Sequence, residues 1–416
     1  MFKKIEIWIL YLVLILGIPV TIIFGVLVRQ ELVGSIKLGR VSKTALFLAE
    51  IPTNIRKGLD KTIDLQVEDR FPLLEGFNGT PNSRESYLLL SRYDGDLKEG
   101  IVELVDLKNF QVLHTWNPEI DKFNELVGED GDFKFLKRDK NNSRYMLVNP
   151  ILLKDGGLVF HHRGPLRKID ACSKLIFQNT KDAFHHSIEK DIEGNLWVPS
   201  HMFPQSLPTE KVGKDIREEG GYVEDGIVKL SDDGEILFEK SLSQIFIDNG
   251  LEYLLFSVGD FDFNKDPIHL NDIQPVLKDS PFFKKGDLFL SLRNLSMIML
   301  YRPSTNKIVR IIEGNFFNQH DIDILDDKRI SIYNNNVKTG LNENFINDIV
   351  IYNFKTNETH SPFNSSFIKH DIRTSGGGLH EFINDNEVVI EETWEGRLIH
   401  INNNGNLLWQ FQKWNW

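Results

Sequence analysis

The sequence predicts an all-β chain: a six-bladed β-propeller carried behind an N-terminal transmembrane helix and a short helical stalk. Three observations predict it. One strand–turn–strand pattern recurs six times, no long helical period survives beyond residue 80, and residues 7–28 form a continuous uncharged apolar run. Composition agrees, since 416 residues with 41% hydrophobic and 26% charged side chains exclude a disordered chain and a polytopic membrane protein. Against 60 acidic side chains stand 48 basic ones, and the net charge of −12 argues against a nucleic-acid partner. The single cysteine, Cys172, leaves no intrachain disulfide and no thiolate metal cluster.

Residues 1–30 are expected to be the membrane anchor. A bilayer core needs roughly 20 apolar residues to cross it, and Ile7 to Val28 supplies them without a charge. Arg29-Gln30-Glu31 follows in place of a small-residue cleavage site, which favours an uncleaved anchor over a signal peptide. Basic residues after the span (Arg29, Lys37, Arg40, Lys43) outnumber Lys3 and Lys4 before it, and taken alone that count puts the bulk of the chain in the cytoplasm. Residues 31–80 read as a helical stalk, with Ser42 as N-cap and Pro52 as stop.

Residues 81–416 hold the repeats. The six strand–turn–strand units begin at Ile101, Pro165, Ile227, Met297, Ile349 and Leu398. Another apolar strand precedes each unit, and before that lies one more, usually opening on histidine, making about four strands per repeat. Four-stranded sheets repeated radially describe a propeller. A β-sandwich with a second domain is the rival, but it has no reason to repeat one pattern six times.

Histidines recur at the inner-strand position that borders a propeller's channel: His185-His186, His269, His320 and His380. They could be structural, hydrogen-bonded between blades. They could also converge, either on a metal, for which neutral imidazole is a common ligand, or on an anion, as nucleophile and general acid or base. Arg293, at the end of the Phe289 strand, favours the anion, because a guanidinium repels a metal and its donor fork suits sulfate, phosphate or carboxylate.

Across most of the repeat region the chain resembles the bacterial arylsulfate sulfotransferases, six-bladed propellers that move a sulfuryl group between phenols without a nucleotide donor. The resemblance is carried by His185-His186, by His269 with Asn271, by Ser291 to Asn294 followed by Leu300-Tyr301-Arg302-Pro303, and by Gln319-His320-Asp321. It implies that His320 is the catalytic nucleophile and passes through a sulfohistidine. It implies further that Arg293, His186 and His269 hold the sulfate oxygens and handle the phenolic proton, with Asn271 as a further donor. Asn294 and the channel-lining His380 complete the expected substrate-binding set, although His380 matches no catalytic position of the family. The implied partners are an aryl sulfate donor and a phenolic or similar hydroxyl acceptor, with no cofactor and no metal. The absence of any phosphate-cradling glycine loop agrees with nucleotide-free transfer. The resemblance also implies a propeller on the periplasmic side, against the charge count.

Two other readings stand beside this one: a tethered propeller that binds an anionic polymer or partner without turnover, and a metal-centred oxygenase with His186, His269, His320 and His380 ringing an iron. Among lesser signals, Gly376-Gly377-Gly378 reads as a connecting turn, His161-His162 as exposed, and residues 315–318 and 363–367 as pocket rim.

Overall fold

The computed structural model describes residues 7–32, 38–59, 76–127, 133, 136–213, 221–256, 264–338 and 345–412. Helix α1 (Ile7–Leu32) contains Tyr11–Leu32, a stretch of mean hydropathy 2.7, and is the one helix among the described residues long and apolar enough to cross a membrane. Helix α2 (Gly39–Leu59) begins before Ser42 and continues past Pro52. Ser42 is therefore not an N-cap; its hydroxyl sits inside the helix near Glu31 Oε2 (2.7 Å) and the Gly39 carbonyl (3.0 Å). Nor does Pro52 end the helix, since a proline removes one backbone bond and kinks a helix whose other turns persist. The rest of the expected stalk up to residue 75 lies outside the described residues.

The remainder is a propeller-like arrangement of antiparallel sheets. Strand β1 (Gly76–Gly79) stands apart in sequence. The first sheet is β2 (Tyr87–Asp94), β3 (Glu99–Asp106) and β4 (Gln111–Trp116). Next come β5 (Val148–Leu152), β6 (Leu158–His161), β7 (Gly164–Ile169), β8 (Leu175–Phe184), β9 (Glu189–Lys190), β10 (Leu196–His201), β11 (Asp225–Leu230) and β12 (Ile236–Ser241), in one eight-stranded sheet off whose path β9 pairs with β10. Two four-stranded sheets follow: β13 (Leu270–Pro275) to β14 (Leu288–Leu292), β15 (Met297–Arg302) and β16 (Lys307–Glu313), then β17 (Ile322–Ile324) to β18 (Arg329–Asn334), β19 (Asp348–Asn353) and β20 (Glu358–His360). The last sheet is β21 (Leu379–Asn384), β22 (Glu387–Glu392), β23 (Arg397–Asn402) and β24 (Leu407–Gln412), with β1 added on β24.

All six strand–turn–strand units form antiparallel hairpins. The expected six separate blades do not appear. Sheets of four or more strands number four among the described residues, because the first copy has three strands and the second and third are fused where β8 pairs with β10 through Phe184–Ser200 and Ala183–His201.

Apolar faces of neighbouring sheets pack on each other, as where Phe289, Ile298 and Leu300 meet Ile330, Ile332 and Val350. Buried carboxylates stitch the inner strands together. Leu270 N–H donates to Asp225 Oδ2 (2.9 Å), Ile322 N–H to Asp272 Oδ2 (2.9 Å) and His380 N–H to Asp321 Oδ2 (2.8 Å). Each bond anchors the first strand of a sheet to residues of the one before it, and these first strands carry or border the histidines.

Candidate functional site

His185 and His186 follow β8, His269 precedes β13, Arg293 closes β14 and His320 precedes β17. The backbones of His186 (φ 60°) and His269 (φ 57°) are left-handed, a conformation that costs a Cβ-bearing residue free energy and persists only where the surroundings fix it. Those fixings are visible. The His186 carbonyl accepts from Asn149 Nδ2 (2.7 Å) and meets His161 Nε2 (3.0 Å), and the His269 carbonyl accepts from the Arg293 N–H (3.0 Å).

The rings converge. That of His186 lies 5.3 Å from His269 and 6.1 Å from His320, centroid to centroid. The hydrogen-bond partners assign tautomers. His320 Nδ1 donates to Asn335 Oδ1 (2.6 Å) and lies 3.2 Å from the Asn318 carbonyl, so Nε2 carries the lone pair, which accepts from the Gly377 N–H at 3.0 Å. His269 Nδ1 meets Asp266 Oδ2 at 2.6 Å. His185 and His186 share one proton between their Nδ1 atoms, 2.6 Å apart.

Burial holds the His320 and His186 imidazoles neutral. It pushes His320 down to about 3, with Arg293 and His269 adding to the effect against the bonds to Asn335 and Asn318. His186 is held well below the usual histidine value by burial, then by His185, His269, His320 and the Arg163 guanidinium. Asp266 shows the opposite balance: burial opposes its charge, yet the His269 bond and the neighbouring His201 and His185 keep it below the usual carboxylate value. The neutral His186 and His320 rings, with the Arg163 and Arg293 guanidiniums in their field, make a group suited to an anion, with one unprotonated ring nitrogen at His320.

Of the expected residues, His186, His269, His320 and Arg293 come together. Asn294 supports Arg293, accepting from its Nη1 (2.8 Å) while donating to the Asp266 carbonyl (2.6 Å). Asn271 already directs its amide N–H to the Gln319 carbonyl (2.9 Å), leaving its buried Oδ1 without a hydrogen-bond partner among the described residues. His380 belongs to another group. Its Nδ1 lies 2.8 Å from Asp321 and its Nε2 2.8 Å from Ser331 Oγ and 3.6 Å from Asp323, and no ring contact joins it to the other three histidines. The four-histidine ring of the oxygenase reading therefore does not form.

Three further expectations change. His161 is wholly buried rather than exposed. Phe363 and Phe367 are buried in the apolar core with Tyr333, Ile390 and Ile399, which leaves Asn364 and Ser365 as the exposed residues of the segment 363–367. The triple glycine is more than a connecting turn, because Gly377 meets His320 Nε2 and a Cβ on Gly378 would strike the Tyr333 ring. The residues missed altogether are Asp266, Asn335, Arg163, the buried Asp225 and the half-buried His201. Of these, Asp266, three positions before His269, had a local signal.

No curated protein matches this chain. Among solved structures it is similar to a protein of unknown function from Bacteroides caccae, at 10% identity over 81% of this chain and 93% of that one, with a TM-score of 0.46. It is also similar to a streptogramin B lyase (13% identity, 82% and 88% covered, TM-score 0.39) and to the Neurospora crassa Pan2 WD40 domain (8%, 84% and 92%, TM-score 0.41). Residues 149–414, well over half the chain and the span that holds every site residue named above, match the arylsulfotransferase (ASST) family, and the chain belongs to that family.

Proposed function

We propose that this chain is a membrane-anchored sulfotransferase that moves a sulfuryl group from an aryl sulfate to a phenolic or similar hydroxyl through His320, without a nucleotide. The observation that carries the reading is the state of His320: its Nδ1 proton is fixed on Asn335, its Nε2 lone pair is uncharged, and Arg293 stands nearby. The Gly377 N–H, which holds the Nε2 lone pair before substrate binds, turns to a sulfate oxygen as the ester enters. Nε2 attacks sulfur while the bond from sulfur to the phenolic oxygen breaks, and the phenolate leaves as the anion beside the Arg293 guanidinium and takes its proton from water. An acceptor hydroxyl then loses its proton to His269, which Asp266 orients, and takes the sulfuryl from Nε2. Sulfuryl transfer resembles phosphoryl transfer in spreading charge over its oxygens, so positioned donors supply most of the rate. Arg293 and the Gly377 N–H are such donors. Helix α1 is the anchor in this reading, and the propeller faces the periplasm.

The test is mass spectrometry of the full-length chain in detergent after brief exposure to 4-nitrophenyl sulfate. A sulfuryl adduct on the peptide containing His320, accompanied by nitrophenol release and absent in His320→Ala, is the expected result. Folded protein that binds the ester yet shows neither adduct nor release would replace the enzyme with a non-catalytic anion-binding propeller.

A further inference from the structure

Beside the sulfuryl pocket, a second group of side chains converges on one point. His185 Nε2 lies 3.4 Å from Asp225 Oδ1, and His201 Nε2 lies 3.8 Å from the same oxygen. The His185 and His201 rings are tilted against each other with centroids 4.1 Å apart. His185 and Asp225 are each only 1% exposed, yet neither His185 Nε2 nor Asp225 Oδ1 has a hydrogen-bond partner among the described residues. Leaving two buried polar atoms unmatched face to face is costly. The other atoms of these groups are committed: Asp225 Oδ2 accepts from the Leu270 N–H, and His185 Nδ1 faces His186 Nδ1. The unmatched atoms are thus aimed by bonds on their far sides, as metal ligands are.

We propose that His185, His201 and Asp225 bind a zinc ion next to the sulfuryl pocket. Two imidazole nitrogens and one carboxylate oxygen select a transition metal over calcium or magnesium. Ligands about 2.0–2.1 Å from a tetrahedral zinc lie about 3.3–3.4 Å apart. The His185–Asp225 separation meets that spacing. His201, whose side chain is 22% exposed and the least confined of the three, closes the remaining gap by a small ring movement. Asp266 Oδ1, buried and without a hydrogen-bond partner among the described residues, adds a second carboxylate to the local field.

The ion has a consequence for the neighbouring pocket. Zinc on His185 Nε2 confines that ring's proton to Nδ1, from which it donates to His186 Nδ1. His186 must then carry its own proton on Nε2. The metal is a positioning element that fixes a tautomer and takes no part in bond breaking.

The test is zinc binding by the full-length chain in detergent, stripped with a chelator, dialysed and titrated with zinc chloride. Elemental analysis should give one zinc per chain, and zinc should raise the unfolding temperature. Asp225→Asn and His201→Ala should each weaken binding by at least about tenfold, with folding checked by circular dichroism. His380→Ala, which alters the separate group with Asp321 and Asp323, should bind zinc as the parent does. Two-bond proton–nitrogen spectra of histidine-labelled protein should show the His186 tautomer fixed by zinc. No stoichiometric zinc in the parent chain, or binding that survives both His201→Ala and Asp225→Asn, overturns the assignment.

Discussion

Asn335 decides what His320 can do. Its Oδ1 takes the Nδ1 proton while its Nδ2 donates to the carbonyls of Thr374 (3.1 Å) and Gly377 (2.8 Å), so the amide cannot turn over without losing both bonds. Asn335→Ala strips a buried donor of its acceptor, at a cost of about 1–3 kcal/mol, and should slow the donor half-reaction by about 5- to 150-fold. The aspartate variant separates positioning from packing. Because His320 is depressed to about 3, it stays neutral above that value, and kcat/KM for the aryl sulfate should stay level in the parent from pH 8 to pH 5. A carboxylate against Nδ1 stabilises the imidazolium and raises the histidine, so Asn335→Asp should bring a loss of rate on acidification into that range. A parent profile that itself falls around pH 6.5 would remove His320 from the nucleophile's role. The sequence disclosed His320 because its position repeats in register with His186 and His269. It concealed Asn335 because a residue fifteen positions later, beyond β18, meets His320 only through the course of the chain in space. Asp225 and His201 were hidden likewise, each having no counterpart histidine or motif at its own repeat position.

At the scale of elements, each hairpin was legible from its two apolar runs and polar turn, since period-two burial leaves that trace wherever one strand returns beside another. The fusion of two copies was not legible, because it depends on two residue pairs between β8 and β10 that no hydropathy pattern marks. Closure by β1 was equally hidden, for a four-residue strand rich in glycine reads as loop. That strand pairs Gly76–Gly79 with Trp409–Gln412 and carries Phe77 into a cluster with Phe110, Trp409 and Phe411. The Phe77 and Phe110 rings stack at 4.6 Å, and Trp409 Nε1 donates to Asn82 Oδ1 (3.0 Å). Truncating a wholly buried tryptophan costs about 3–5 kcal/mol, so Trp409→Ala should lower the urea midpoint by that equivalent. Gly79, at φ 124°, has no room for a side chain, as its Cβ would lie 2.6 Å from Trp409 Cα. Gly79→Val should therefore destabilise although it removes no contact. Urea unfolding curves for both variants that overlay the parent would show that β1 is not a clasp.

The whole molecule sets a pH dependence that no single element does. Its repeats put one carboxylate after another on the inner strands, where Asp272 and Asp321 accept the stitching N–H bonds described above. Burial, helped by their neighbours' charges, raises each to about 7. A folded-state carboxyl raised above its unfolded value binds more protons folded than unfolded, so its contribution is present at lower pH and is lost as pH rises through 7. Eight histidines among the described residues act the other way: each is held below its usual value, and the unfolded chain takes up protons that the folded chain refuses. An unfolded imidazole is half protonated at about pH 6.5, so between pH 6.5 and 8 each such histidine still adds about 0.4 kcal/mol while each of the two carboxyls removes about 1 kcal/mol. The carboxyl part is therefore read as a difference between two chains. Asp321→Asn keeps an oxygen to accept the His380 N–H but cannot ionise, and in urea unfolding it should gain about 1 kcal/mol on the parent between pH 6.5 and 8. A difference between the two chains that stays constant over that interval would show that Asp321 holds its charge in the folded chain and that something else neutralises it.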